Sequence, residues 1–241
     1  MEKIEQQDLL EKILTEWGCR NADEKSIQAD ERLIVAIAGA PGAGKSTLAQ
    51  WLCREFNTQL TGETSTVADV AVILPMDGYH FDNKIIEAAG LLSRKGSPET
   101  FDVSGFADVL RRIRQQPYIP AATVDKSDSM SGIAVPVFDR RLDLARAGAE
   151  MLKPQHGIVL VEGNYLLLHE SPWSQLKPVF DLSVFLQVPM DVLEQRLIRR
   201  WLEHDHTEQQ ARERAGSNDL PNARRVLENS VKADLELSSW Q

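Results

Sequence analysis

Four short apolar runs punctuate the chain, at Leu33–Ala38, Val70–Met76, Ile158–Val161 and Leu182–Val188. They are continuous, with no alternation of apolar and polar positions, so they predict strands covered on both faces. A segment with helical features or a glycine-marked turn follows each one, and strands separated by helices predict a mainly parallel sheet in an α/β domain. Ahead of them, Ile4, Leu10, Ile13, Leu14 and Trp17 fall near helical spacing and predict an amphipathic helix packed on that domain. A polar stretch at 18–31, "GCRNADEKSIQADE", separates the two, giving residues 1–30 as helix and linker and 31–241 as a single domain. Residues 123–140, "TVDKSDSMSGIAVPVFDR", are rich in Ser, Asp and Gly and read as a long loop or hairpin, a feature that in compact domains is usually functional or mobile.

Charge narrows the partners. With 36 acidic against 27 basic residues and a formal charge of −9, the chain has no general attraction for a phosphate polymer, so nucleic acid is not expected. The basic residues cluster, at 94–95, 111–114, 140–141 and 196–200, which suits a small anionic ligand; 111–114 alone reads as a solvated helix face. Two cysteines, Cys19 and Cys53, lack metal-type spacing and fit a reducing compartment. The N-terminus is too acidic and polar for a signal peptide, and no apolar run is long enough to span a membrane. The expectation is a soluble cytoplasmic protein with no membrane partner; oligomeric state is open, a homodimer being one option.

The first apolar run leads directly into "GAPGAGKST" at 39–47, a full match to G-x-x-x-x-G-K-[ST] in the order strand, loop, helix. Over Gly39, Ala40, Pro41, Gly42, Ala43 and Gly44 the glycines let backbone N–H groups turn onto phosphate oxygens. Lys45 supplies a mobile cation for the β and γ oxygens, the Ser46 hydroxyl is a Mg²⁺ ligand, and the helix beginning near Thr47 points its positive end at the anion. The site is expected to bind ATP with Mg²⁺ in a three-layer P-loop NTPase fold.

A phosphate loop does not choose between kinase, switch and motor. The guanine-reading Asn-Lys-x-Asp is absent, since "NKII" at 83–86 lacks the acid, and so is a transporter Leu-Ser-Gly-Gly-Gln. About thirty residues beyond the lysine, "VILPMDGYHFDN" at 72–83 ends a buried run in a carboxylate. A parallel strand brings Asp77 to the phosphate edge, where it either accepts the proton of an attacking hydroxyl or serves the turn and the metal; the base role is favoured. Gly78 permits a tight turn, and Tyr79, His80 and Asn83 are expected to line an acceptor pocket. Glu162 ends the run "IVLV" at the same edge and is the second candidate Mg²⁺ ligand.

Together "MDGYHFDN", "RKGSPETFD" (94–102), "VEGNYLLL" (161–168) and "LPNARRVLENSVKADLEL" (220–237) resemble the P-loop kinase superfamily of phosphoribulokinase, uridine kinase and bacterial pantothenate kinase. The resemblance covers roughly Leu33 to Leu237 and leans to a bacterial branch labelled as sugar, nucleoside or fructose-transport-associated kinases. It implies that Asp77 is the base for the acceptor hydroxyl. It also places Arg94 and Lys95, with Phe138, Asp139 and Arg140, on the acceptor side. Arg196, Arg199 and Arg200 share one helix face and match the lid, around 196–218, with Arg196 and Arg200 the candidates for catalysis. Leu193, Leu197 and Trp201 form the neighbouring apolar stripe, expected to be core. Asn222 is assigned to the nucleotide side, whereas Asn229 and Ser230 stand where relatives carry a Thr-Arg pair near the adenine. The expected activity is transfer of the γ-phosphoryl of ATP to a hydroxyl of a small metabolite such as a sugar, nucleoside or pantothenate-like compound. The alternatives are a regulatory P-loop NTPase without an acceptor and a non-catalytic nucleotide sensor.

Overall fold

The computed structural model describes residues 2–21, 31–61, 69–121, 123 and 130–238. Its centre is a six-stranded sheet in the order β1-β8-β7-β2-β6-β3, with every neighbouring pair parallel. The strands are β1 (Glu2–Ile4), β2 (Leu33–Gly39), β3 (Ala71–Pro75), β6 (Ile158–Gly163), β7 (Leu182–Leu186) and β8 (Leu235–Leu237). Every residue of β2 and β6 is buried, as their unbroken apolar runs require of strands with helices on both faces.

The helices are α1 (Gln6–Asn21), α2 (Lys45–Thr61), α3 (Asn83–Ala88), α4 (Val103–Gln115), α5 (Met190–Leu202), α6 (Glu208–Arg214) and α7 (Leu220–Asn229). Sequence-local chemistry starts several of them. The Asp102 side chain accepts from the Gly105 N–H at the head of α4, and Thr207 with Gln210 forms a capping box on α6. On α4, Val103, Phe106, Ala107, Leu110 and Ile113 make the buried stripe. Among the described residues no helix is long and apolar enough to cross a membrane.

The amino-terminal helix is present, but it is preceded by a strand: Glu2, Lys3 and Ile4 pair with Leu235, Glu236 and Leu237 at the sheet edge. Residues 22–30 of the polar stretch and 124–129 of the Ser/Asp-rich segment lie outside the described residues. The rest of that segment enters an antiparallel hairpin, β4 (Ile133–Asp139) with β5 (Leu144–Leu152), whose register shifts between Val135 and Val137. Pro136, which has no N–H to give to a ladder, sits at that irregularity.

Parallel pairing brings all carboxyl ends of the strands to one edge. Glu162 lies opposite Ile37 of β2 on one side and opposite Pro75 of β3 on the other. The phosphate loop leaves β2 there, and a 3₁₀ turn, Met76–Tyr79, leaves β3. The fold thus delivers the chemistry-bearing residues of three adjacent strands to one place.

Candidate active site

At that edge is an open cavity of about 1120 Å³, lined by the phosphate loop, the turn after β3, the hairpin tip, the end of β6, α5 and the segment 214–222. In the phosphate loop Gly42 adopts φ +81°, and a Cβ there would stand 3.2 Å from Leu197 Cγ, so both backbone and packing call for glycine. Lys45 is almost fully buried and folds back over the loop, donating to the Ala40 carbonyl (3.0 Å) and to Asn164 Oδ1 (2.5 Å). Burial pulls its ammonium down to about 8 against the opposing attraction of Glu162 and Asp77, and Arg200 and Arg140 add to the lowering. Ser46 Oγ donates to Glu162 Oε1 at 3.1 Å. Glu162 is also buried, and desolvation pushes its carboxyl up despite Lys45 nearby. Burial leaves both charges ill solvated, so an anion bound near one and a cation near the other relieve them together.

Asp77 faces this group from the 3₁₀ turn, and Arg140 Nη2 donates to its Oδ2 at 3.2 Å. The hairpin lies so close over the turn that a Cβ on Gly78 would come within 2.3 Å of the Pro136 carbonyl oxygen. His80 packs its ring on Phe101 (4.0 Å between centroids) and Phe138 (4.7 Å), and its Nδ1 lies 2.8 Å from the Asp77 carbonyl. Burial lowers its pKa, so the neutral ring predominates. Lys95 is bound by Asn83 Oδ1 (2.7 Å), the Asp143 carbonyl (2.7 Å) and Asp143 Oδ1 (2.8 Å).

Of the residues expected in the site, Lys45, Ser46, Thr47, Asp77, His80, Lys95, Arg140, Glu162, Arg200 and Asn222 line the cavity, with Pro41, Gly42 and Gly44 of the loop. Gly39, Ala40 and Ala43 form the buried inner side of that loop. Four of the expected residues stand off the cavity lining. Tyr79 turns away from the cavity onto Phe106 (4.7 Å), where its buried hydroxyl has no partner among the described residues. Asn83 stands behind Lys95 and also donates to Asp143 Oδ2 (3.2 Å). Arg94 reaches across to the Ser217 carbonyl and Asn222 Oδ1, both at 3.2 Å. Arg196 donates to the Gly42 carbonyl at 3.4 Å, behind the phosphate loop. Asn222 is on the cavity wall, but its amide is engaged with Arg94 and, at 3.2 Å, with Asn218.

The sequence did not single out Asn164, Asp143, Arg214 or Asp219, which also line the cavity. Asn164 follows Glu162 by two positions past a buried strand, which is a readable signal; the other three come together only through tertiary structure. Trp201, expected in the core, packs against it and also borders the cavity, donating to Asp219 Oδ2 at 2.7 Å with Arg200 and Arg214 over its ring at 5.7 and 5.0 Å. Asp219 also holds Arg200 at 3.3 Å. It closes a π-helical segment, Ala215–Asp219, of the kind that often marks functional sites.

No protein-family model matches the chain. It is 32% identical over 212 residues to the uncharacterized protein YggC of Escherichia coli (strain K12), covering 88% of this chain and 79% of that protein. It is 30% identical over 221 residues to a Schizosaccharomyces pombe protein provisionally named a uridine kinase, covering 88% and 85% of the two chains. Among solved structures, a protein from Silicibacter sp. TM1040 provisionally described as a fructose transport system kinase superposes with a TM-score of 0.79 at 35% identity, covering 98% of this chain and 100% of the other.

Proposed function

Because the chain belongs to the P-loop kinase superfamily of phosphoribulokinase, uridine kinase and bacterial pantothenate kinase, we propose that it moves the γ-phosphoryl group of ATP to a hydroxyl of a small metabolite. The observation that carries this is the convergence of Lys45, Glu162 and Asp77 on one cavity from three adjacent parallel strands. A nucleotide-hydrolysing switch has no need of a pocketed carboxylate backed by the His80, Phe101 and Phe138 rings.

In the proposed reaction the phosphate loop holds the triphosphate through backbone N–H groups, and the Lys45 ammonium lies against the β and γ oxygens. Ser46 Oγ and Glu162 Oε1, a hydroxyl and a carboxylate 3.1 Å apart beside the loop, are hard oxygen donors of the kind Mg²⁺ takes alongside phosphates and water. When bound, the ion neutralises charge on the β and γ oxygens. Asp77 accepts the proton of the acceptor hydroxyl as its oxygen attacks the γ-phosphorus. The new O–P bond forms, the bond to the β–γ bridging oxygen breaks, and ADP leaves. Arg200, which lines the cavity and is held by Asp219, is the lid arginine that stabilises the transferring group on closure.

The test is ADP release from Mg-ATP across a panel of hydroxyl compounds with a no-acceptor control, for wild type and Asp77→Asn. The proposal requires at least one compound to raise turnover and Asp77→Asn to remove that increment. Turnover equal with every compound and indifferent to Asp77→Asn favours a regulatory NTPase.

A further inference from the structure

Asp77, the carboxylate that the proposed reaction needs free, is engaged. Arg140 reaches it from the hairpin tip through one N–H at 3.2 Å, leaving the other guanidinium donors unused in that contact. The Arg140 side chain is 67% exposed, so solvent screens the pair and a competing anion can exchange for it. The other cation at this end of the cavity is committed: Lys95 is bound by Asn83 and Asp143 and lies 5.2 Å over the Phe138 ring. Among the described residues, Arg140 is therefore the acceptor-side cation with donors to spare.

When Asp77 takes the proton of the acceptor hydroxyl it becomes neutral and no longer answers the charge of Arg140, just as the two substrates displace water from the cavity. Arg140, 67% exposed here, then loses hydration to the substrates as well as its counter-charge, so an anion beside it is favoured. We infer that the acceptor carries an anionic substituent, a carboxylate or a phosphate, which draws Arg140 off Asp77 and so frees the base only when the right acceptor is present. With no acceptor, the Arg140–Asp77 pair keeps Asp77 from orienting water against the γ-phosphorus and spares ATP from hydrolysis. This inference rests on the kinase activity proposed above. The rival destination for Arg140 is the γ-phosphate itself, since Arg140 lies within electrostatic reach of Lys45 and Glu162.

The test needs no knowledge of the acceptor. Mg-ATP hydrolysis is measured without acceptor for wild type, Arg140→Met, Arg140→Lys, Asp77→Asn and the Arg140→Met/Asp77→Asn double variant. In this reaction water gives its proton to Asp77, its oxygen bonds to the γ-phosphorus, and ADP and inorganic phosphate are released. Arg140→Met is expected to raise hydrolysis about fivefold, equivalent to ~1 kcal/mol, the upper end for an exposed pair. Arg140→Lys, which keeps the charge but not the guanidinium, raises it less than Arg140→Met, and the double variant loses the gain. Propionate and methyl phosphate, which offer no alcohol to phosphorylate, are then added at fixed ionic strength. They raise wild-type hydrolysis towards the Arg140→Met level and leave that variant unchanged, and the stronger of the two identifies carboxylate or phosphate. Unchanged hydrolysis in Arg140→Met, or no response of wild type to either anion, overturns the inference. So does an Arg140→Met protein that binds Mg-AMP-PNP more weakly but Mg-ADP normally, because Arg140 then serves the γ-phosphate. A wild type that binds no Mg-nucleotide refutes the kinase activity itself, a result separate from all of these.

Discussion

Lys45 makes nucleotide binding depend on pH in a way that can be calculated. Its ammonium is buried and pulled down to about 8, the loss of hydration outweighing the attraction of Glu162 and Asp77. A bound triphosphate surrounds the same ammonium with negative oxygens and restores its charge. One pH unit above its pKa, about a tenth of the protein carries the charge before nucleotide is added, so binding at pH 9 draws in about 0.9 proton, against about 0.1 at pH 7. The phosphates contribute nothing at pH 9 because their last pKa is near ~6. Apparent affinity falls about fivefold from pH 8 to pH 9, equivalent to ~1 kcal/mol. Calorimetric titration with Mg-AMP-PNP in two buffers of different ionisation enthalpy reads the proton uptake, and Lys45→Arg, which stays charged, takes up none. Uptake at pH 9 no greater than at pH 7 refutes the reasoning. The sign for stability follows from the same shift. The folded pKa lies below the unfolded one, so the unfolded chain binds more protons between about 8 and 10.5, and the Lys45 contribution to stability rises with pH across that window.

Gly78→Ala places a Cβ within 2.3 Å of the Pro136 carbonyl oxygen. Displacing the hairpin should cost about 1–3 kcal/mol, with a fall in Tm of about 2–4 °C per kcal/mol and a loss of acceptor-dependent turnover; an unchanged melt and unchanged activity contradict this. Arg32 is fully buried and donates to the carbonyls of His156, Ile113 and Lys153 and to Gln116 Oε1. Arg32→Met should lose about 3 kcal/mol or more in urea unfolding while nucleotide affinity holds, because the residue precedes β2 at the edge opposite the cavity. Glu162→Gln should weaken Mg-ADP binding about tenfold or more and leave Mg-free ADP binding near wild type, and removing Mg²⁺ with EDTA should erase the difference between the two proteins. Calorimetry checks both arms.

What could be read in advance was local or repeated. "LIVAIA" running into "GAPGAGKST" carries strand, loop and helix in contiguous residues, and the parallel arrangement follows from apolar runs too continuous for an exposed sheet. From that arrangement alone, Asp77 and Glu162 had to meet the phosphate loop. Strands β1 and β8 escaped notice because three residues are too few to show a period. That His80 enters the cavity and Tyr79 does not has a geometric cause. In a 3₁₀ turn residues three apart eclipse, so His80 follows Asp77 into the cavity while Tyr79 is rotated into the core. Arg196 and Arg200 share a helix face but lie about 6 Å apart along its axis. One therefore meets the phosphate loop from behind and the other enters the cavity. Arg94 and Asn222 bind each other across 128 positions, a pairing no local pattern announces.

The decisive measurement is the fate of the terminal phosphate. Wild type and Asp77→Asn are incubated with γ-³²P-labelled Mg-ATP and a mixture of small hydroxyl metabolites, and the label is resolved into organic products and inorganic phosphate. Label in an alkali-stable phosphate ester, made by wild type and reduced about a hundredfold or more in Asp77→Asn, is the predicted result. Label found only as inorganic phosphate, at equal rates in both proteins, contradicts it.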